Sequence, residues 1–140
     1  MIKKTTRDSI LSVLKAGLRI NSKLYSILKK YNISEQQFNI LRILRGRKNK
    51  PSNLITLQER MVHKMSNTTR LVDKLIIKKY VRRTLCKTNR RKIEIFITDK
   101  GLEVLSLIDP IIDKNEELLA VNLSEEEKKQ LIYLSNKLAI

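Results

Sequence analysis

The stretch RRTLCKTNRRKIEIFIT, residues 82–98, sets a basic, turn-prone middle against a well-patterned strand. Ile93, Ile95 and Ile97 alternate with Lys92, Glu94 and Phe96, the period of two expected of a half-buried strand. Thr88-Asn89-Arg90-Arg91 precedes it as a turn with two arginines at or near its tip. The segment therefore reads as a short hairpin whose exposed end is almost wholly cationic.

Immediately upstream, the sequence predicts a short helix over Ile55–Val62, a brief turn at His63-Lys64-Met65, and a second helix from about Ser66 to Lys79. Two short helices joined by a tight turn form a helix-turn-helix, and a hairpin directly after it takes the position of a wing. At 100° per residue, Thr68, Leu71, Val72, Leu75 and Lys79 share the core side of the second helix. Ser66, Asn67, Arg70, Asp73 and Lys74 lie broadly opposite. Short hydrogen-bonding groups near a helix start, with an arginine one turn on, suit base edges and phosphates. The candidate DNA-contacting residues are Lys64, Ser66, Asn67, Thr69, Arg70 and Lys74 in this unit, with Lys87, Arg90 and Arg91 in the hairpin.

Further out the pattern is helical. Ile10, Leu14, Leu18, Leu24, Leu28 and Tyr31 mark an amphipathic helix over about Thr6–Tyr31. Ser34-Glu35-Gln36-Gln37 is a capping box opening a helix to about Arg45, with Phe38, Leu41 and Leu44 on its core face. Thr98 or Asp99 caps a long helix that Pro110 is expected to kink. Ser124-Glu125-Glu126-Glu127 is a second capping box, before a last helix carrying Leu131, Leu134 and Leu138. The fold class is mainly α with a small β-hairpin. The 140 residues fit one domain, with a DNA-binding lobe over 34–98 and helical segments over 1–33 and 99–140.

Composition points the same way. Thirty Lys and Arg against 14 Asp and Glu give a formal net charge of +16, which calls for a polyanionic partner. Ser12, Lys15 and Arg19 interrupt any apolar export segment, and no apolar run approaches the roughly 20 residues a bilayer span needs. A single cysteine, Cys86, suits a reducing compartment, so the expected location is the cytoplasm, with no membrane partner. One His and one Cys make a zinc centre of the usual kind improbable, and three scattered glycines form no phosphate loop. No enzyme activity and no cofactor are expected.

The order of these motifs resembles the MarR family of bacterial transcription regulators. The stretches that carry the resemblance are ISEQQFNILRIL, TTRLVDKLIIKKYVRR, NRRKIEIFITDKG and LSEEEKKQLIYL. It implies a homodimer built through the first and last helices, acting on a palindromic operator in double-stranded DNA, and more often a repressor than an activator. It also implies a cleft for a small, often aromatic or anionic effector, for which Tyr25, Tyr31 and Phe38 are candidates, although core and rim packing would suit them as well. Two departures stand out. Asn89 occupies the place of the acid that usually precedes the two wing arginines, and Asp73 is the candidate to orient the wing in its stead, by pairing with Arg90 or Arg91. Cys86 lies at the wing rather than in the first helix, and is a candidate redox site, although a lone cysteine without a resolving partner is more often incidental. The alternative function is a basic protein that coats nucleic acid without choosing a sequence, since phosphate contacts carry no sequence information.

Overall fold

The computed structural model describes residues 1–64, 67–89 and 91–138. Six helices and one hairpin follow in order: α1 (Lys4–Lys29), α2 (Glu35–Gly46), α3 (Leu54–Arg60), α4 (Thr68–Ile77), β1 (Val81–Leu85), β2 (Ile93–Ile97), α5 (Asp99–Leu119) and α6 (Glu125–Lys137). Side-chain caps fix most helix starts. Ser34 and Gln37 form a reciprocal capping box at α2, as do Ser124 and Glu127 at α6. Asn53, Asn67 and Thr98 cap α3, α4 and α5. α5 runs unbroken through Pro110.

The hairpin pairs antiparallel, Val81 opposite Ile97 through Leu85 opposite Ile93. Ile95 is completely buried while Glu94 and Phe96 on the other face are half-exposed, the alternation the sequence predicts. Arg82 lies over the ring of its cross-strand partner Phe96, 4.1 Å from the centroid. Ser52 adds a one-residue third strand. Its N–H donates to Ile95 O at 2.9 Å and its carbonyl accepts from Ile95 N–H at 2.8 Å.

One core joins these elements. Phe38, Ile40, Leu41 and Leu44 of α2 meet Leu57, Val72, Leu75, Val81 and Ile95, with Val104, Leu105, Ile108 and Ile112 of α5 behind them. The lobe is tied to α5 through Thr98. Its hydroxyl donates to Lys79 O at 2.7 Å and accepts from Gly101 N–H at 3.1 Å, while its own N–H donates to Tyr80 O at 3.0 Å. At Gly101 a Cβ would collide with the Tyr80 carbonyl, so helix and turn can meet this closely only with glycine.

The outer helices are bound far less fully. α1 buries only Leu28, and α6 buries none of its described residues. Ile10, Leu14 and Leu18 on α1, Leu107 and Ile111 on α5, and Leu131 and Leu134 on α6 remain exposed.

The ends of α3 and α4 differ from the sequence reading for visible reasons. α3 ends at Arg60 because Met61 turns to extended backbone (φ −64°, ψ 138°) while keeping its side chain in the core. α4 ends at Ile77, because Lys79 adopts a left-handed φ of 64° and so leaves the core face expected of it.

Candidate nucleic-acid interface

Side chains of α2 and α3 meet the described residues on either side of the α3–α4 turn. Gln58 donates to the Lys64 carbonyl and accepts from the hydroxyl of Thr68, spanning the turn from α3. The Val62 N–H donates to Oδ1 of Asn39 on α2 at 2.9 Å, and His63 Nε2 lies 3.4 Å from Glu35 Oε1. These contacts fix α4 against α2 and α3, so its outward face is presented on a rigid support.

On that face Asn67, Thr69, Arg70, Asp73 and Lys74 are exposed. Asn67 has a second task. Its Oδ1 accepts from Arg70 N–H at 3.1 Å and caps α4, leaving the amide NH₂ to meet an acceptor. Lys64, Lys87 and Arg91 are exposed as well. Ser66 and Arg90 lie outside the described residues.

Asn89 orders the wing. Its Oδ1 accepts from Arg91 N–H at 3.1 Å, its carbonyl accepts from Lys92 N–H at 2.9 Å, and Cys86 N–H closes the hairpin onto Lys92 O at 2.9 Å. Asn89 therefore holds Arg91 and Lys92 through its own side chain and carbonyl.

Asp73 meets a residue the sequence reading did not name, while Arg90, one of its two expected partners, lies outside the described residues. The Asp73 Oδ1 accepts from Nη1 of Arg83 on β1, 3.1 Å away, and not from Arg91. Asp73 still joins α4 to the hairpin, at its root instead of its tip. Sequence reasoning missed Arg83, Gln58 and Asn39. The only available signal for Arg83 was its place on β1 beside α4 once the hairpin register was known.

The cleft residues separate. Phe38 is 4% exposed and belongs to the core, because α2 turns that face onto the lobe interior. Tyr31 packs against the same core. Tyr25 lines a cavity of about 560 Å³ between the end of α1, the start of α2 and α4. Lys29, Lys74 and Lys78 line it too. Lys78 Nζ donates to the Asn32 carbonyl and to Gln37 Oε1, and burial, with Lys74 nearby, lowers its pKa from the ordinary lysine value.

Cys86 is half-buried, with Sγ 3.2 Å from the Thr88 hydroxyl. Hydrogen bonds from Thr88 lead in holding its thiol below the usual cysteine range. The cause is a hydroxyl and backbone amides.

Between residues 34 and 98 there are seventeen Lys and Arg against four Asp and Glu, whereas residues 99–140 hold nine acids against five bases. Among the described residues no group of three or more His, Cys, Asp or Glu could hold a metal ion, and no helix is long and apolar enough to cross a membrane.

A three-helix lobe with a helix-turn-helix, a two-stranded wing and long flanking helices defines a winged helix-turn-helix protein. The model of the MarR family matches residues 33–93. The HTH-type transcriptional regulator PecS of Dickeya dadantii is 30% identical over 121 residues, covering 84% of this chain and 71% of PecS. The chain belongs to the MarR family, whose members are transcription regulators and not enzymes. Among solved structures, a cysteine-to-serine variant of MarR from E. coli complexed with operator DNA superposes with a TM-score of 0.80 at 20% identity, covering 99% of this chain and 100% of that one. Bordetella bronchiseptica BpsR, whose DNA binding is regulated by 6-hydroxynicotinic acid, superposes with a TM-score of 0.79 at 16% identity over 91% and 89% of the two chains.

Proposed function

We propose that this regulator acts as a homodimer on a palindromic operator and represses transcription until a small anionic molecule releases it. The observation that carries the reading is that the polar, exposed face of α4 and the cationic wing tip belong to one braced lobe. α4 enters the major groove, where Thr69, the Asn67 amide and Arg70 face base edges and Lys64 and Lys74 face phosphates. The wing carries Lys87, Arg90 and Arg91 to the adjacent minor groove.

Dimerisation accounts for the exposed apolar faces of α1, α5 and α6, since a partner copy is what such faces lack. Residues 1–33 and 99–140 are then the dimerisation region and 34–98 the DNA-binding lobe. The effector enters the cavity beside Tyr25, where Lys29, Lys74 and Lys78 supply positive charge and Tyr25 an aromatic wall. Lys74 lies on α4 and Lys29 on α1, so an anion drawing on both alters how the lobe sits against the dimer helices. The protein works in the cytoplasm, where its DNA is.

The test is binding to the DNA upstream of its own coding sequence and to a random duplex, each across a salt series. The proposal predicts at least about 10³-fold tighter binding to the specific duplex near physiological salt. Equal affinities with a steep salt slope at every candidate operator would favour the second reading, a charge-driven coat, which the +16 charge also supports.

A further inference from the structure

A cavity of about 430 Å³ opens between α3 and the start of α4, on the side of the lobe where Asn67 and Thr69 are exposed. Leu54, Ile55 and Glu59 wall it from α3, and Asn67 and Thr69 from α4. Ile55 is 72% exposed, yet it belongs to α3 and not to the apolar faces of α1, α5 and α6 that a second copy would cover.

Several polar atoms around Ile55 are already spent. Gln58, also on this wall, donates to the Lys64 carbonyl and accepts from the Thr68 hydroxyl. Asn67 Oδ1 accepts from the Arg70 N–H. What remains for an incoming group is the Asn67 amide NH₂ as a donor, the Thr69 side chain, and the apolar surface of Ile55 and Leu54. Among the described residues no lysine or arginine lines the cavity, and Glu59 is its one charge. An acid without a cation beside it repels a phosphate, so in a chain of net charge +16 this part of the recognition side is suited to a base edge and not to the backbone.

Thymine is the one base whose major-groove edge carries a methyl group, and its O4 acceptor lies beside it. The methyl suits the apolar surface and O4 suits the amide NH₂. Cytosine would offer that amide a competing donor and bring no methyl, while adenine and guanine offer acceptors with nothing apolar. We infer that this cavity reads the C5-methyl group of one thymine in each half-site, with Ile55 as the specificity-determining residue. The inference rests on the DNA-binding reading above, and adds to it the base that is read and the apolar side chain that reads it.

The experiment takes the full chain and a duplex enriched from a randomised pool, and replaces each thymine in turn by deoxyuridine. The exchange removes the methyl group and leaves O4 and the base pairing in place. At one thymine of each half-site it weakens binding about four-fold for each half-site changed, the loss expected for one methyl-sized group. Ile55→Ala binds the thymine duplex less tightly and brings the thymine-to-deoxyuridine ratio at that position close to one, while its affinity for a random duplex is unchanged. A thermal melt establishes that the variant is folded, and Ile55→Thr, which keeps the β-branch but shortens the side chain, carries the test should it not be. Indifference to deoxyuridine at every thymine overturns the inference, as does a ratio that neither variant alters, or an equal loss by Ile55→Ala on random and enriched duplexes. A choice of cytosine that Glu59→Gln relaxes, with every deoxyuridine ratio unchanged, overturns it in favour of an acid reading the cytosine amino group. Enrichment of no duplex removes the sequence-reading function and the inference with it, whereas an enriched duplex indifferent to deoxyuridine removes the inference alone.

Discussion

Arg83 of β1 donates a hydrogen bond to Asp73 of α4 across 3.1 Å, joining the root of the wing to the helix proposed to read DNA. Both side chains are about half exposed, so the pair contributes little to stability, of the order of 0.2–1 kcal/mol. Its consequence is geometric. It ties the wing to α4.

Asp73→Ala and Arg83→Gln are each expected to weaken specific-duplex binding several-fold with little change in melting temperature. The double variant should bind no worse than the poorer single variant, because both changes remove one contact. Additive losses in a double-mutant cycle would show that the pair does not orient the wing.

Asn67 both caps α4 and faces outward, and two substitutions separate these roles. Asn67→Ala removes the cap and should cost about 1 kcal/mol of stability by urea unfolding. Asn67→Ser restores a cap acceptor and should recover most of that stability, while base discrimination remains relaxed. Recovery of discrimination along with stability would assign Asn67 to capping alone.

Gly101→Ala places a methyl group against the Tyr80 carbonyl at the joint between lobe and α5. Overpacking against backbone typically costs about 1–3 kcal/mol. A melting temperature equal to that of the unsubstituted protein would mean that the joint opens freely.

The thiol of Cys86 is held low chiefly by Thr88. The hydrogen bond favours the charged form, so the midpoint of its alkylation rate against pH lies below the ordinary thiol value, and Thr88→Ala moves it upward. An unmoved midpoint in Thr88→Ala would remove that cause. A different variant, Cys86→Ser, decides the redox reading: if peroxide leaves DNA binding of the unsubstituted protein and of Cys86→Ser equally unchanged, Cys86 is no sensor.

Helices α1, α2, α5 and α6 were legible because their apolar residues recur at helical spacing and their starts carry capping signals, as at Ser34 and Ser124. β2 was legible from the alternation around Ile95. Long-range pairing was not. Arg83 and Asp73 are ten residues apart, and nothing local to either says that they meet. Phe38 was legible as core from its spacing with Leu41 and Leu44, and its burial agrees; the cleft role came with the family resemblance alone. Ser52 forms a strand of one residue, too short for any period to register. Lys79 takes a left-handed turn that glycine usually occupies, so the end of α4 carried no sequence signal.

The central claim is that two copies of α4 read a symmetric sequence in successive major grooves. Selection of bound duplexes from a randomised pool, at near-physiological salt, tests it most directly. The account predicts enrichment of an inverted repeat whose half-sites lie about 10 base pairs apart, centre to centre. A pool that stays unenriched after repeated rounds, while still binding at low salt, would contradict it.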